Sequence, residues 1–181
     1  MAAFFETLTK KHIEFIEKQH MFFVATAPND GRINLSPKGM DSLKVIDENT
    51  IVWLNYTGSG NETAAHIAEN GRMTLMFCSF EQKPLILRLY GKAELIYRNH
   101  EKWKDYIEFW GETKEMRQFF ELKIEMVQTS CGFSVPYYEY QGERGTLMDY
   151  WQPKTADEIK TYWQEKNSRS IDGLPTGITD K

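Results

Sequence analysis

Short apolar runs alternate with turn signals along most of the chain. Residues 21–27 form a β-rich run that ends near an Asp-Gly turn, and residues 32–38 return as a strand with apolar and polar side chains on opposite faces. The runs 43–46 and 51–56 flank a polar turn, which predicts a second hairpin. Three longer stretches complete the predicted strands: 72–80, 84–96 and 119–131.

Four helical segments are predicted around these strands, the first of them from apolar residues at helical spacing. They are an N-terminal helix at about 9–20, a helix at about 61–69, a helical stretch around 100–110, and a C-terminal helix at about 155–167 that opens with a capping box. Strands in hairpin order with short helices between them favour an antiparallel barrel over a parallel sheet. We therefore predict a mostly β fold with flanking helices, in a single domain spanning residues 1–181.

Composition excludes several functional classes. The formal net charge of −4 and the pI of about 5.6 leave no basic surface for nucleic acid. No apolar run approaches the length needed to span a membrane, and no signal-peptide pattern is present, so we expect a cytoplasmic protein without a membrane partner. Cys78, Cys131 and the four histidines lack the spacing of metal ligands, and no metal is expected.

The stretch NYTGSGNET, residues 55–63, clusters small and hydroxyl-bearing residues at the predicted start of a helix. Helix N-termini attract anions, and the glycines permit close approach of the backbone to a ligand. The pattern is therefore consistent with a phosphate-binding turn. Ser59 and Glu62 also fit a capping box, which requires no ligand, and the local pattern leaves both interpretations open.

The order of these motifs resembles the pyridoxamine 5′-phosphate oxidase-like family of FMN-binding split β-barrels. The resemblance rests on the Asp-Gly turn, RINLSPKG, VWLNYTGSGNETAAHIAENGRMTLMF and PLILRLYGKAEL, and it runs from about residue 21 to about residue 96. It implies a six-stranded antiparallel split β-barrel that forms a homodimer. It also implies that FMN lies between the two subunits, with its phosphate near the turn at residues 57–61.

The resemblance also implies which residues contact the flavin. Tyr56 and Thr57 fall where the family has strand-end contacts to the ribityl chain and phosphate. Gly60, Asn61 and Thr63 belong to the turn and to the first turn of the helix; Asn61, Glu62 and Thr63 replace a basic Ser-Arg-Lys grip in the oxidases proper. Because a carboxylate at position 62 repels phosphate, we expect it to point away from the ligand.

Two basic residues are candidates for the missing positive charge. Ser36, Pro37 and Lys38 lie on the second strand, where the oxidases carry a phosphate-binding arginine, and alternation places Ser36 and Lys38 on one face. Arg88 interrupts an apolar strand and is the second candidate. The alternatives remain that Lys38 is a solvated surface lysine and that Arg88 forms an internal ion pair with a glutamate such as residue 94 or 121.

These residues predict an FMN-dependent oxidoreductase acting on an unidentified small molecule. Genuine pyridoxamine phosphate oxidase activity is not expected, because the C-terminal stretch VPYYEYQGERGTLMDYW lacks the family's arginine-histidine arrangement. A non-catalytic protein that stores or senses flavin or haem on the same barrel is the alternative, and a deazaflavin cofactor is also compatible. Five aromatic residues either wall a substrate pocket or pack the C-terminal helix on the barrel: Tyr137, Tyr138, Tyr140, Trp151 and Trp163.

Overall fold

A curled antiparallel sheet organises the chain in a computed structural model that describes residues 2–178. Its eight strands are β1 (Ala3–Phe5), β2 (Phe22–Thr26), β3 (Asn34–Lys38), β4 (Leu43–Asp47), β5 (Thr50–Tyr56), β6 (Arg72–Cys78), β7 (Ile86–Ile96) and β8 (Met116–Ser130). The α-helices are α1 (Lys10–Glu17), α2 (Glu62–Asn70), α3 (Trp103–Ile107), α4 (Thr146–Trp151) and α5 (Ala156–Tyr162), and α5 continues into a π-helical turn, Trp163–Asn167.

The strand order is β3-β2-β6-β7-β8-β5-β4, and β1 pairs with β8 beside this path. All pairings are antiparallel, which confirms the predicted split-barrel class. The expected count of six strands is corrected to eight. Seven of these strands follow the runs predicted from the sequence, including β4, which pairs with β5 at one end of the path; the short β1, which pairs with β8, was not predicted.

The barrel interior is filled by the inward-facing side chains of the alternating strands. Trp53 stacks on Phe120 with ring centroids 4.8 Å apart, and Phe22 packs edge-on against Trp53. A smaller apolar cluster lies under α3, where Trp103 packs against Phe119. This rigid interior fixes the ends of β3 and β5, where the candidate site lies.

The other face of the same strands is exposed and partly apolar. Cross-strand register places six outward-facing residues in one row across the sheet, and five more in a neighbouring row. The first row is Pro37, Phe23, Met76, Arg88, Gln128 and Phe4, and the second is Leu35, Ala25, Thr74, Tyr90 and Met126. We call these two rows the outer face; Leu35 is 62% exposed and Phe4 is 61% exposed.

The C-terminal segment, residues 146–178, packs back onto the barrel. The indole N–H groups of Trp151 and Trp163 donate hydrogen bonds of 2.8 Å to the carbonyl oxygen and the hydroxyl of Thr57. Beyond the π-helical turn, Thr176 and Ile178 are buried against the same chain. Within residues 2–178, no helix combines the length and apolar character needed to cross a membrane.

Candidate functional site

A cavity of about 460 Å³ opens between the end of β3, the end of β5 and the start of α2. Its lining includes residues 57–61, which we call the turn, and Arg117 at the beginning of β8. Eight of the nine residues predicted from the sequence line this cavity: Ser36, Pro37, Lys38, Tyr56, Thr57, Gly60, Asn61 and Thr63. The ninth, Arg88, lies elsewhere.

Lys38 is a half-buried cation that lines this cavity and is not a fully solvated surface lysine. Its ammonium lies 5.1 Å from the centroid of the Trp53 ring, a cation–π arrangement. Burial, reinforced by the positive charge of Arg117, lowers the pKa of Lys38 to about 8. The ammonium forms no ion pair with a carboxylate in the described part of the chain.

Arg117 is a second cation of the cavity, and sequence reasoning missed it. It is 4% exposed, and burial lowers its pKa to about 10. One terminal nitrogen donates to the carbonyl of Gly60 at 2.9 Å and to the side chain of Asn167 at 2.7 Å, while Nε has no hydrogen-bond partner among residues 2–178. A buried guanidinium without a carboxylate partner is suited to an anionic ligand.

The turn enters α2 without the capping box of Ser59 and Glu62, which was the alternative interpretation of this stretch. Asn61 is the N-cap residue, and its side chain makes no capping hydrogen bond. The Glu62 carboxylate instead accepts a 2.9 Å hydrogen bond from the backbone N–H of Ile171 in the C-terminal segment. The positive end of α2 therefore has no side-chain cap, as an anion site at a helix N-terminus requires.

Neighbouring polar groups hold the turn in place. The Thr57 hydroxyl donates to the carbonyl of Glu115 and accepts from Trp163. The Asn61 side-chain oxygen accepts a 2.6 Å hydrogen bond from Gln118. The Asn167 amide donates to the carbonyl of Gly58 at 3.1 Å. These bonds fix the backbone of the turn, so that it needs little reorganisation to receive a ligand.

The remaining polar residues of the cavity come from β3 and β5. Asn34, Ser36 and Lys38 share the face of β3 that lines the cavity, as strand alternation predicted for the latter two. Asn34 donates a 3.2 Å hydrogen bond to the Thr63 hydroxyl, which links β3 to α2. Tyr56 ends β5; burial, together with nearby carboxylates, raises its pKa, so its hydroxyl stays neutral.

Arg88 does not reach the cavity of its own chain. It lies in the middle of the outer face and donates a 3.2 Å hydrogen bond to the Ser130 hydroxyl. The internal ion pair proposed as an alternative is also wrong within residues 2–178, because Glu94 and Glu121 pair with lysines. In this arrangement Arg88 therefore does not contact a flavin bound in the cavity of the same chain.

A larger cavity of about 990 Å³ adjoins the first one. The two cavities share Pro37, Lys38, Gly58 and Ser59 in their walls, along with residues 39, 40 and 147. Of the five aromatic residues considered above, Tyr138, Tyr140 and Trp151 line the larger cavity, whereas Tyr137 and Trp163 do not. Trp151 and Trp163 also attach the C-terminal segment to the turn, which was the alternative interpretation.

Comparison with known proteins assigns the family. The sequence profile described as Pyridoxamine 5′-phosphate oxidase matches residues 8–131. The chain belongs to this family. It is also 35% identical over 195 residues to the Pyridoxamine 5′-phosphate oxidase family protein ustO of Aspergillus flavus, and the match covers 97% of this chain and 78% of that protein.

Solved structures agree with the fold of the pyridoxamine 5′-phosphate oxidase family. The HupZ protein of Group A Streptococcus superposes with a TM-score of 0.53 and 23% identity, over 66% of this chain and 91% of that chain. A Lactobacillus delbrueckii protein, related by its name to pyridoxamine 5′-phosphate oxidase, gives a TM-score of 0.56 and 21% identity over 68% of this chain and 94% of that chain. At these identities the likeness concerns the fold alone.

Proposed function

We propose that this protein is an FMN-dependent oxidoreductase acting on a small organic molecule, with the flavin bound at a homodimer interface. The observation that carries the proposal is a pair of cations, the half-buried Lys38 and the buried Arg117, in a cavity beside the uncapped N-terminus of α2. The family to which the chain belongs points to FMN as the ligand that carries the anionic group.

The charge arrangement fits a phosphate dianion. Lys38 supplies a point charge whose burial costs free energy until an anion compensates it, and Arg117 supplies an unpaired buried Nε. The cavity's only carboxylate among the described residues, Glu62, is bonded to the backbone of Ile171. The cavity therefore presents two cations and a helix dipole to a ligand phosphate without a basic residue in the turn itself.

The outer face is the surface that we propose for the second subunit. Apolar or aromatic side chains lie on all six of its strands, and Phe4, Leu35 and Met126 among them are exposed, which forms a contiguous patch and not scattered apolar residues. It is continuous with the cavity through Pro37, which belongs to both. Arg88 lies near its centre, so in a homodimer its guanidinium is available to the partner's flavin and not to its own.

The flavin supplies the redox chemistry when bound, by accepting or donating electrons at its ring system. The chain's residues bind and orient it. Lys38, Arg117 and the turn hold the phosphate end, and the Trp53 ring beneath Lys38 keeps that ammonium in place. The adjoining larger cavity gives a second molecule access to the same wall, formed by Pro37 and Ser59.

A visible spectrum of the purified protein supplied with FMN tests this function. We expect flavin absorption bands that co-purify or appear on titration, bleach with dithionite and return in air. A protein that takes up FMN but shows no turnover with any electron donor supports the alternative, a non-catalytic flavin-binding protein. Failure to bind FMN contradicts both.

A further inference from the structure

The larger cavity is walled by two groups of aromatic side chains. Tyr150, Trp151 and Tyr162 form the first group, with ring centroids 4.8 and 4.9 Å apart around the central indole. This group belongs to α4 and α5. Because Trp151 is buried and donates to the carbonyl of Thr57, the group is fixed to the turn of the smaller cavity.

The second group joins residues that follow α1 and β6 to the loop that precedes α4. His20 stacks on Tyr140 with ring centroids 3.6 Å apart, and Tyr138 packs edge-on against Phe80 at 5.3 Å. Glu143 holds the loop by accepting hydrogen bonds from the Tyr140 hydroxyl and from a backbone N–H at residue 40. Tyr138 and Tyr140 nevertheless remain 68% and 49% exposed, so much of their ring surface is free for a ligand.

We propose that the larger cavity binds the substrate and that this substrate is an aromatic molecule carrying no phosphate or other strong anion. This inference rests on the proposed function, since it places the substrate beside the flavin. The larger cavity's volume of about 990 Å³ suits an organic molecule of drug-like size. The aromatic side chains of the lining offer ring surfaces on which a ligand ring can stack, which favours planar aromatic ligands over aliphatic ones.

The charges of the cavity select against anions. Lys38 also lines the smaller cavity, where it is assigned to the flavin phosphate. The other charged residues of the lining within the described chain are two cations and three carboxylates, namely Lys18, Arg144, Glu81, Glu139 and Glu143. The three carboxylates outnumber Lys18 and Arg144, so these two cations do not form the cationic cluster that a second phosphate needs.

Most of the cavity's aromatic wall lies outside the part of the chain that the family profile matches. Five of the seven aromatic residues in the lining lie beyond residue 131, where the match to the family profile ends. The substrate preference is thus built by the loop and helices of the C-terminal part, while the flavin cavity is built by the part that matches the family. The two sites can be tested separately for that reason.

Equilibrium dialysis of the full-length protein against three matched probes tests the inference, with and without saturating FMN. The probes are tryptamine, indole-3-propionate and cyclohexylethylamine, which vary terminal charge and ring type. We expect saturable one-to-one binding of tryptamine, and at least about tenfold weaker binding of the other two. Equal binding of indole-3-propionate, equal binding of cyclohexylethylamine, or no saturable binding of tryptamine overturns the inference.

Variants locate the binding. Tyr140→Ala and Tyr150→Ala should each weaken tryptamine binding about fivefold or more and leave FMN affinity unchanged. Tyr137→Ala is the matched control, because Tyr137 is in the same loop, is 75% exposed and does not line the cavity. Tryptamine binding insensitive to both cavity variants overturns the inference. Loss of FMN binding alone refutes the proposed function, while retained tryptamine binding then still supports the aromatic site.

Discussion

At the scale of single residues, the site depends on side chains whose burial changes their chemistry. Lys38 is held in a cavity where its charge is unfavourable until an anion arrives, and Thr57 is fully buried with both hydrogen-bonding functions of its hydroxyl in use. Lys38 was predicted from the resemblance, which places residues 36–38 where the oxidases carry a phosphate-binding arginine, together with strand alternation, which puts Lys38 on one face with Ser36. Nothing in the local sequence shows that the Thr57 hydroxyl bonds a tryptophan more than one hundred residues away.

The first residue-scale prediction concerns the pH dependence of FMN binding. Free Lys38 loses its proton above about pH 8, whereas a bound phosphate dianion stabilises the protonated form, so binding above that pH requires proton uptake. FMN affinity should therefore fall as pH rises from about 7 to about 9.5, approaching tenfold per pH unit above 8. Fluorescence titration at several pH values measures it.

The Lys38→Arg variant is the control for this pH effect, because a guanidinium stays charged throughout the range. Its FMN affinity should show little change between the same pH values. An equally steep decline in Lys38→Arg would assign the titration to another group.

The second residue-scale prediction concerns stability. Thr57→Val removes a buried hydroxyl and leaves the Trp163 indole N–H unpaired, while the Glu115 carbonyl keeps only its 2.9 Å hydrogen bond from the backbone N–H of residue 57. Urea unfolding should show a loss of about 1–3 kcal/mol in the free energy of unfolding. Thr57→Ser, which keeps the hydroxyl, should retain most of the wild-type stability; an equal loss in both variants would rule out the hydrogen bonds as the cause.

At the scale of elements, most strands and helices follow from local pattern. Alternation located the strands from β2 to β8, and the capping box at Thr155 located the start of α5. Two elements could not be predicted. The three-residue β1 is defined by its pairing with β8, and α4 has only six residues, too few for a helical period to show.

Arg117 was missed for a related reason. The pattern began the last long strand at Phe119, but the structure begins β8 at Met116, where a register shift against β5 lies beside the turn. A charged residue just before an apolar run looks like part of a loop. The available signal was its spacing of two from Phe119, which places both on one face of a longer strand.

Alanine substitutions at two glycines, one in the β7–β8 bulge and one in the turn, test the description of the bulge. A Cβ on Gly91 would lie 1.9 Å from the backbone oxygen of Lys123, where the register of the two strands shifts. Gly91→Ala should therefore cost about 3 kcal/mol or more in the free energy of unfolding. Gly58→Ala is the matched control, because a Cβ there meets nothing within 4 Å. Thermal unfolding of Gly91→Ala at the wild-type midpoint would contradict this description of the bulge.

At the scale of the whole molecule, the split barrel was predictable and the relation of its parts to the site was not. Hairpin order and the motif succession lead to the fold, and eight predicted residues meet in one cavity. Arg88 was misplaced because alternation separates the two faces of a strand without saying which face holds the site. The C-terminal tail, whose position was left open, packs on its own chain through Glu62 and an ion pair between Arg32 and Asp172.

The proposed homodimer gives the whole-molecule prediction. Met76→Glu places a charge in the middle of the outer face, where desolvation in an interface would be costly. Light scattering after size exclusion should show a wild-type dimer and a monomeric variant. Phe109→Glu, at an exposed position outside the outer face, should leave the dimer intact. A wild-type monomer, or a dimer unaffected by Met76→Glu, would contradict this assignment.

The central claim is that Lys38 and Arg117 bind the phosphate of a flavin, and a comparison of FMN with riboflavin tests it most directly. The two ligands differ only in the phosphate, and two charge-assisted contacts should make FMN bind about 100-fold more tightly or better. Parallel titrations of the wild type and of Lys38→Gln, with Lys10→Gln as a surface control, should show that difference shrink about tenfold in Lys38→Gln alone. Equal affinities of the wild type for FMN and riboflavin would contradict the account.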